Sequence, residues 1–456
     1  MRPRFGTDGL RGRANRELTP ELAVRVGFAA GQVLADGRPG VIILGRDTRE
    51  SGPMLEAAVA AGLASAGWQV RPVGVMTSPG VACLTVLAGA DAGCVISASH
   101  NPAPDNGIKF FTREGAKLSP ATEARIEALL DADAAETAER PRPGLLRPWR
   151  GAAAAYRHFL AATTTTRLDG LRLVVDCANG AASALAPTLF RALGAEVRAL
   201  CHHPDGRNIN DRCGATHPGL LAEAVRRAGA DAGVAFDGDA DRAIFVDERG
   251  LVRNGDHVLY VLATQRLADG QLPGEAIVGT VMTNLGTERA LAEAGIRLER
   301  ARVGDREVYA QMRQAGILLG GEQSGHIIFL DHLNTGDGML TAIQLFAAMR
   351  RAGKPLSVLC APVVMFPQIL INIPLLPGLD WHDSTPLGQA LRDAEALLLG
   401  EGRVLVRPSG TEPLLRVMLE SPRAEALQQA AQRVRSSGEF PGLKATFLSA
   451  EENPHS

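Results

Sequence analysis

The sequence predicts an α/β protein of four domains around a central cleft: three related α/β domains with mixed sheets, then a smaller α+β C-terminal domain. Three observations predict it. At 456 residues the chain is too long for one hydrophobic core. A strand–loop–helix–glycine–strand unit occurs three times. After about Phe366 that unit gives way to a shorter alternation of strands and helices. The expected domains are residues 1–150, 151–253, 254–366 and 367–456.

The repeated unit begins at Val41 ("VIILGRDTRESGPMLEAAVAAGLASAGWQV"), at Leu171 ("LRLVVDCANGAASALAPTLFRALGAEVRAL") and at Ala276 ("AIVGTVMTNLGTERALAEAGIRLERARV"). Each copy is a β-branched run, a loop of glycine and small polar residues, an Ala/Leu-rich helix, a glycine (Gly67, Gly194, Gly295) and a second strand. The glycine suits the left-handed position that closes a helix. Strand–helix–strand order implies largely parallel layers. Downstream of each copy two apolar runs flank a polar loop: "AGCVISASHNPAPDNGIKFF", "AGVAFDGDADRAIFVD" and "GILLGGEQSGHIIFL". Three copies of one fold place these loops equivalently, so that all can face one cleft. Asp131–Pro148 and Thr163–Thr166 read as the first inter-domain region. The last domain reads βαββα, its final helix starting at Ser421-Pro422 with Glu425 behind it.

Composition excludes several classes. A net charge of −2 gives no global attraction to nucleic acid or an anionic membrane. Aromatics at 4% leave little for a base-stacking platform. The six cysteines are scattered without a C-x-x-C pair, which favours buried thiols in a reducing compartment over disulfides or a zinc site. "MRPRFGTDGLRG" lacks the apolar core of a signal peptide, and no stretch approaches ~20 apolar residues. The expectation is a cytoplasmic protein, monomer or homodimer, with a small-molecule partner.

"DGDADR" sets Asp237, Asp239 and Asp241 at alternate positions, so three carboxylates converge in a slightly curled extended chain. Such crowding calls for a hard cation, Mg²⁺ being the natural one. An EF-hand loop is the first competitor, but Arg242 stands where the loop needs glycine, and strands rather than helices flank it. A solvated acidic turn is the second. "RPSGTEPLLR" offers Arg407, Ser409, Gly410, Thr411 and Arg416, the guanidinium, hydroxyl and amide groups that suit a phosphate dianion, or else a bare turn. "GGEQSGH" alternates Glu322, Ser324 and His326 between glycines, suited to sugar hydroxyls or to an ordinary polar hairpin. "FGTDGLRG" offers Arg11. Ser97 and Ser99 follow an apolar run without the G-x-S-x-G or S-x-x-K context of an activated serine. A serine, a carboxylate metal site, a hydroxyl reader and a phosphate cradle together point to phosphoryl transfer on a phosphorylated sugar.

With "FGTDGLRG", "SASHNP", "DNGIKFF", "DGDADR", "GEQSGH" and "RPSGTEPLLRVM" in that order over residues 5–418, the chain resembles the α-D-phosphohexomutase superfamily and, within it, the bacterial phosphoglucosamine mutases. The resemblance implies a fourth domain that closes over the substrate. It implies an isomerase interconverting glucosamine 6-phosphate and glucosamine 1-phosphate for UDP-N-acetylglucosamine synthesis. The family's phosphoserine falls on Ser99; Asp237, Asp239, Asp241 and the Ser99 phosphate would hold Mg²⁺. Arg11, His100 and Lys109 match the transfer centre, Lys109 as a general acid or base whose pKa neighbouring cations such as Arg11 lower. Glu322 and Ser324 match the sugar-hydroxyl contacts; Arg407, Ser409, Gly410 and Thr411 match the distal phosphate site. The alternatives are a phosphomannomutase/phosphoglucomutase and, more distantly, a non-catalytic Ca²⁺- or sugar-binding protein.

Overall fold

The computed structural model describes residues 4–6, 8–35, 38–131, 141–375, 381, 385–408, 413–438 and 444–448. The chain forms two compact units, Met1–Thr280 with Glu299–Cys360, and Val281–Leu298 with Ala361–Ser456. Among the described residues, no helix is long and apolar enough to cross a membrane.

The first unit is built on repeated strand pairing. Strands β1 (Phe5–Gly6), β2 (Gly9–Arg13), β3 (Val41–Arg46), β4 (Gln69–Val75), β5 (Ala92–Ile96) and β6 (Asp105–Thr112) form one sheet in the order β1-β2-β6-β5-β3-β4. A second sheet takes β7 (Arg172–Asp176), β8 (Glu196–Leu200), β9 (Ala232–Phe236), β10 (Ala243–Asp247) and β11 (Val252–Arg253) in the order β11-β10-β9-β7-β8. Strand β12 (Ala276–Thr280) is followed by β13 (Arg297–Ala301), then β14 (Leu319–Gly321) and β15 (Ile327–Phe329). In each copy the first strand pairs in parallel with the strand that carries the polar loop: β3 with β5, β7 with β9, β12 with β14. That strand then turns back as an antiparallel hairpin, onto β6, β10 and β15 respectively. The sheets are therefore mixed, as expected.

Composition explains the pattern. Every residue of β5, β9 and β10 is buried, and apart from Asp247 at the end of β10 these strands read as apolar runs. Gly67, Gly194 and Gly295, which close the three helices, hold φ of +90°, +105° and +76°. Loops leaving the carboxyl ends of buried strands must satisfy their polar atoms locally, and there the functional motifs sit.

The second unit holds the antiparallel sheet β17-β18-β16-β19, made by β16 (Gln368–Pro374), β17 (Arg403–Pro408), β18 (Leu414–Glu420) and β19 (Lys444–Leu448). The βαββα expectation missed β19, a five-residue strand that pairs with β16. Helices Pro386–Leu398 and Ala424–Arg435 bury Leu387, Leu391, Leu398, Leu427 and Val434 in one core with Ile371, Ile373 and Val417. The last helix starts at Ala424, later than expected; Ser421 Oγ instead accepts the Arg423 N–H (3.2 Å) before the helix begins. Helix Leu285–Glu293 of the third repeat belongs to this unit, because Asn284 at its N-cap bonds both the N–H and the C=O of Phe366 (2.9 and 3.0 Å).

Candidate active site

Ser99 follows β5 in a left-handed conformation, φ +52°, rare for a residue with a Cβ and costing about 1–3 kcal/mol. It is 1% exposed. Ser97 is the strand-end residue: its Oγ donates to Asp47 Oδ2 (2.6 Å) and accepts the Ser99 N–H (3.0 Å). The strained turn is held by Arg49, a fully buried guanidinium that donates to the carbonyls of Ser99 (3.0 Å), Asn101 (2.7 Å), Pro102 (2.5 Å) and Asp105 (3.0 Å). Its Nε pairs with Asp47 Oδ2 at 2.9 Å. From the second repeat, Asn210 Nδ2 donates to the carbonyls of Ser99 and Asn101 (2.9 and 3.0 Å). So fixed, the Ser99 hydroxyl donates to Asp237 Oδ2.

Asp237, Asp239 and Asp241 are buried and offer oxygens within 4.8 Å of one another. Strands β9 and β10 flank them, paired Phe236 to Ala243, which removes the EF-hand reading, and their burial removes the solvated turn. Asp239 Oδ1 and Asp241 Oδ1 are buried without a hydrogen-bond partner among the described residues. An all-oxygen set with orphaned lone pairs fits a hard cation. Burial, then the charges of Asp241 and Asp239, push the Asp237 carboxyl well above its ordinary range. Asp241 is buried too, yet His326, Lys109 and Arg242 hold its carboxyl below the ordinary range.

Lys109 departs from expectation. Its Nζ lies 2.9 Å from Asp239 and 2.8 Å from Asp8. Burial favours the neutral amine, but Asp239, Asp8 and Asp241 together outweigh burial and Arg11, so its pKa is raised rather than lowered. The carboxylates that win are remote in sequence from Lys109. His100 goes the other way: burial, then Arg242 and Arg11, push its ring down to about 4, leaving a neutral imidazole with Nδ1 3.4 Å from Ser99 Oγ.

The third loop joins the same site. His326 is 3% exposed and turned inward: Nε2 accepts the Gly336 N–H (3.1 Å) and Nδ1 lies 3.7 Å from Asp241 Oδ2. An Nε2 that accepts leaves Nδ1 to carry the proton toward Asp241. Its surroundings thus favour orienting a carboxylate over reading a sugar hydroxyl. Glu322 and Ser324 are only partly buried. Glu322 Oε1 accepts the Gly304 N–H (3.0 Å), and the buried Ser324 Oγ has no partner among the described residues.

Several participants escaped the sequence reading. Asp8 draws Arg11, Lys109 and Lys117 together, and they hold its carboxyl far below the ordinary range despite burial. Arg11 reaches Asn101 Oδ1 at 3.1 Å. Lys117 bridges Asp8 (2.5 Å) to Asp305. Ser78, opening helix Ser78–Leu87, gives both its N–H and hydroxyl to Asp239 (3.0 and 2.5 Å). Asp8 lies inside "FGTDGLRG" and was available as a signal; Arg49, Asn210 and Asp305 carry none that local spacing reveals.

In the second unit Arg407 and Arg416 are cross-strand partners on β17 and β18, so their side chains leave the same face. Burial and the Arg416 charge lower the Arg407 pKa. Two guanidiniums on one face suit an anion. Ser409, Gly410 and Thr411 lie outside the described residues.

Family models of phosphoglucomutase/phosphomannomutase match the whole architecture: alpha/beta/alpha domain I at residues 2–137, domain II at 154–250, domain III at 254–365, and the C-terminal domain at 370–437. Phosphoglucosamine mutases of Staphylococcus haemolyticus and Brevibacillus brevis are each 48% identical, over 444 and 437 residues, covering 94% of this chain and 97% of theirs. A solved phosphoglucomutase/phosphomannomutase family protein of Burkholderia thailandensis is 27% identical with a TM-score of 0.81, covering 96% of this chain and 97% of its own. A Paramecium phosphoglucomutase, parafusin, agrees in fold, with a TM-score of 0.73 at 16% identity over 97% of this chain and 98% of its own. Matched in all four domains and along nearly its full length, the chain belongs to the phosphoglucomutase/phosphomannomutase family of the α-D-phosphohexomutase superfamily, isomerases whose chemistry implies a metal ion at the buried aspartate triad.

Proposed function

We propose that this phosphohexomutase interconverts glucosamine 6-phosphate and glucosamine 1-phosphate through a phosphorylated Ser99 and a bisphosphorylated sugar, supplying UDP-N-acetylglucosamine synthesis. The curated relatives of that name support the substrate. The observation that carries the chemistry is the Ser99 hydroxyl bonded into a buried carboxylate triad in which Asp239 Oδ1 and Asp241 Oδ1 have no partner among the described residues. Asp237, Asp239 and Asp241, with the phosphate on Ser99, would hold Mg²⁺, which supplies charge withdrawal from that phosphate.

Ser99 needs no activating base for the first transfer, because it enters the cycle already phosphorylated. Its phosphoryl group passes to the sugar 1-hydroxyl, the bisphosphorylated sugar turns over, and its 6-phosphate returns to Ser99. Lys109, kept charged by Asp239 and Asp8, is a fixed cation and proton donor beside the transferring group. The neutral His100 ring, with Nδ1 3.4 Å from Ser99 Oγ, accepts the hydroxyl proton when the dephosphorylated serine takes back the 6-phosphoryl group. Arg11, anchored by Asp8 and Asn101, faces developing phosphoryl charge. Glu322 and Ser324 read hydroxyls similarly placed in both sugar orientations, while His326 sets the Asp241 carboxylate. The Arg407–Arg416 pair, with Ser409, Gly410 and Thr411, anchors the phosphate that stays on the sugar.

Replacing Ser99 with alanine tests the assignment. The variant should fold, lose turnover, and lose the phosphate adduct seen in the intact mass of active enzyme; full activity in it would reject the phosphoserine. A coupled assay across glucosamine, glucose and mannose phosphates tests the substrate, and a preference for mannose or glucose would move the chain to the sister mutases.

A further inference from the structure

Apart from the aspartate triad, the second repeat brings together another donor set. Asp176 ends β7, Cys201 follows β8, and Cys213 lies in the loop leading back toward β9. One carboxylate oxygen and the two sulfurs lie within 4.8 Å of one another. Asp176 and Cys213 are buried, while Cys201 is partly exposed and opens the cluster to solvent. Sequence spacing argued against a metal on cysteine here, because twelve positions separate two thiols that only the fold makes neighbours.

The carboxylate is unusual for its place. Asp47, just past β3 in the first repeat, pairs with Arg49 at 2.9 Å, and buried Asp247 pairs with Arg253 at 2.6 Å. Asp176 is 0% exposed, yet its contacts among the described residues are the amides of Ala178 and Gly214 (2.9 and 2.8 Å) and the Cys201 thiol, with no cationic side chain. Burying a carboxylate without a cation is expensive unless it keeps a proton or gains a metal. Two thiols beside it decide which metal is suited: sulfur donors select thiophilic cations, whereas the oxygen-only triad selects Mg²⁺.

We propose that Asp176, Cys201 and Cys213 form a second metal site, for a thiophilic divalent cation of the zinc class. Tetrahedral zinc, with Zn–S of about 2.3 Å and Zn–O of about 2.0 Å, sets its donors roughly 3.5 Å apart, so rotamer adjustments are enough to close the set. Binding releases the thiol protons to solvent and leaves a fourth position open on the Cys201 side. The loop between the two cysteines carries Asn210, which holds the carbonyls of Ser99 and Asn101. A cation here therefore stiffens the brace behind the reactive serine without touching substrate.

The test uses the full chain, reduced with a thiol-free reductant and kept in excess Mg²⁺ so that the triad is occupied. Titration with Co²⁺, the spectroscopic stand-in for zinc, should give a thiolate-to-metal absorption saturating at one equivalent per chain and abolished by Zn²⁺. Cys213→Ser and Cys201→Ser should each lose the band, and the Zn²⁺-dependent rise in Tm of the wild type should vanish with it. No band in the wild type, a band that survives both substitutions, or a Cys201–Cys213 disulfide in the protein as isolated would overturn the site. None of these readouts uses mutase activity, so a failure here leaves the Ser99 assignment intact.

Discussion

Arg49→Lys separates the clamp on Ser99 from the charge that Asp47 needs. The guanidinium makes five side-chain bonds, to Asp47 and to the carbonyls of Ser99, Asn101, Pro102 and Asp105. Lysine keeps a positive charge near Asp47 but has three protons on one nitrogen, so at least two acceptors go without a donor. Hydrogen bonds from a charged donor contribute about 1.5–3 kcal/mol each, which puts the loss at about 3 kcal/mol or more. A protein with a reserve of about 5–15 kcal/mol stays folded at that cost. What fails is the strained turn, whose own cost of about 1–3 kcal/mol is then opposed mainly by Asn210.

Urea unfolding should therefore show the variant destabilised by about 3 kcal/mol, and the coupled mutase assay a fall in kcat of about a hundredfold as Ser99 leaves Asp237. Mn²⁺ binding, read on the triad itself, should stay near wild type, because Asp237, Asp239 and Asp241 stand on another loop. A variant that melts and turns over like wild type would refute the clamp. So would metal affinity lost in step with turnover, since that marks general damage to the site.

Burial pushes the Asp337 carboxyl up to about 6 although the Tyr156 hydroxyl and the amides of Leu340 and Met339 pull it down. The fold thus keeps a proton that the unfolded chain releases near pH 4, a contribution present below that pH and lost as pH rises through 6. Relative to Asp337→Asn, which can still cap helix Gly338–Ala352, wild type should lose about 3 kcal/mol between pH 4 and 7; parallel urea curves refute this. His326→Ala should weaken divalent-metal binding roughly 10–100-fold with little effect on sugar-phosphate affinity; the opposite ranking restores it as a hydroxyl contact. Arg407→Ala should weaken sugar-phosphate binding while metal affinity holds, and calorimetry showing the reverse rejects the anion role.

What was legible in the sequence was what the chain keeps local. The three repeats show because β-branched strands and helix-closing glycines stand at fixed spacing, and Gly67, Gly194 and Gly295 all take the left-handed conformation. The triad shows because its three carboxylates lie within five residues. Contacts that span the fold are invisible to spacing. Arg49 reaches Ser99 across 50 positions, Asn210 across 111, and Asp239 meets Lys109 across 130. The direction of the Lys109 shift was misjudged for that reason: Arg11 shares a motif with the expected chemistry, whereas the carboxylates that outweigh it arrive from elsewhere. Strand β19 was missed because five residues with weak alternation mark a strand only once β16 offers an open edge.

The repeat also explains why the loops can act together. Each leaves the carboxyl end of a strand paired in parallel on one side and antiparallel on the other, so its backbone emerges where few ladder partners remain. Buried polar groups must then pair between loops. Ala243 N–H bonds Gly325 O at 3.1 Å, and Gly338 N–H bonds Ala240 O at 3.0 Å. The glycines mark where backbones meet: a Cβ at Gly238 would lie 2.6 Å from Ser99 O, and one at Gly325 2.2 Å from Ala243 O. Neither contact survives a side chain, so glycine in "DGDADR" and "GEQSGH" answers to the neighbouring loop as much as to its own turn. Backbone interlocking of this kind holds Ser99 Oγ, Asp237 and Asp241 in register, which is the preorganisation that phosphoryl transfer demands.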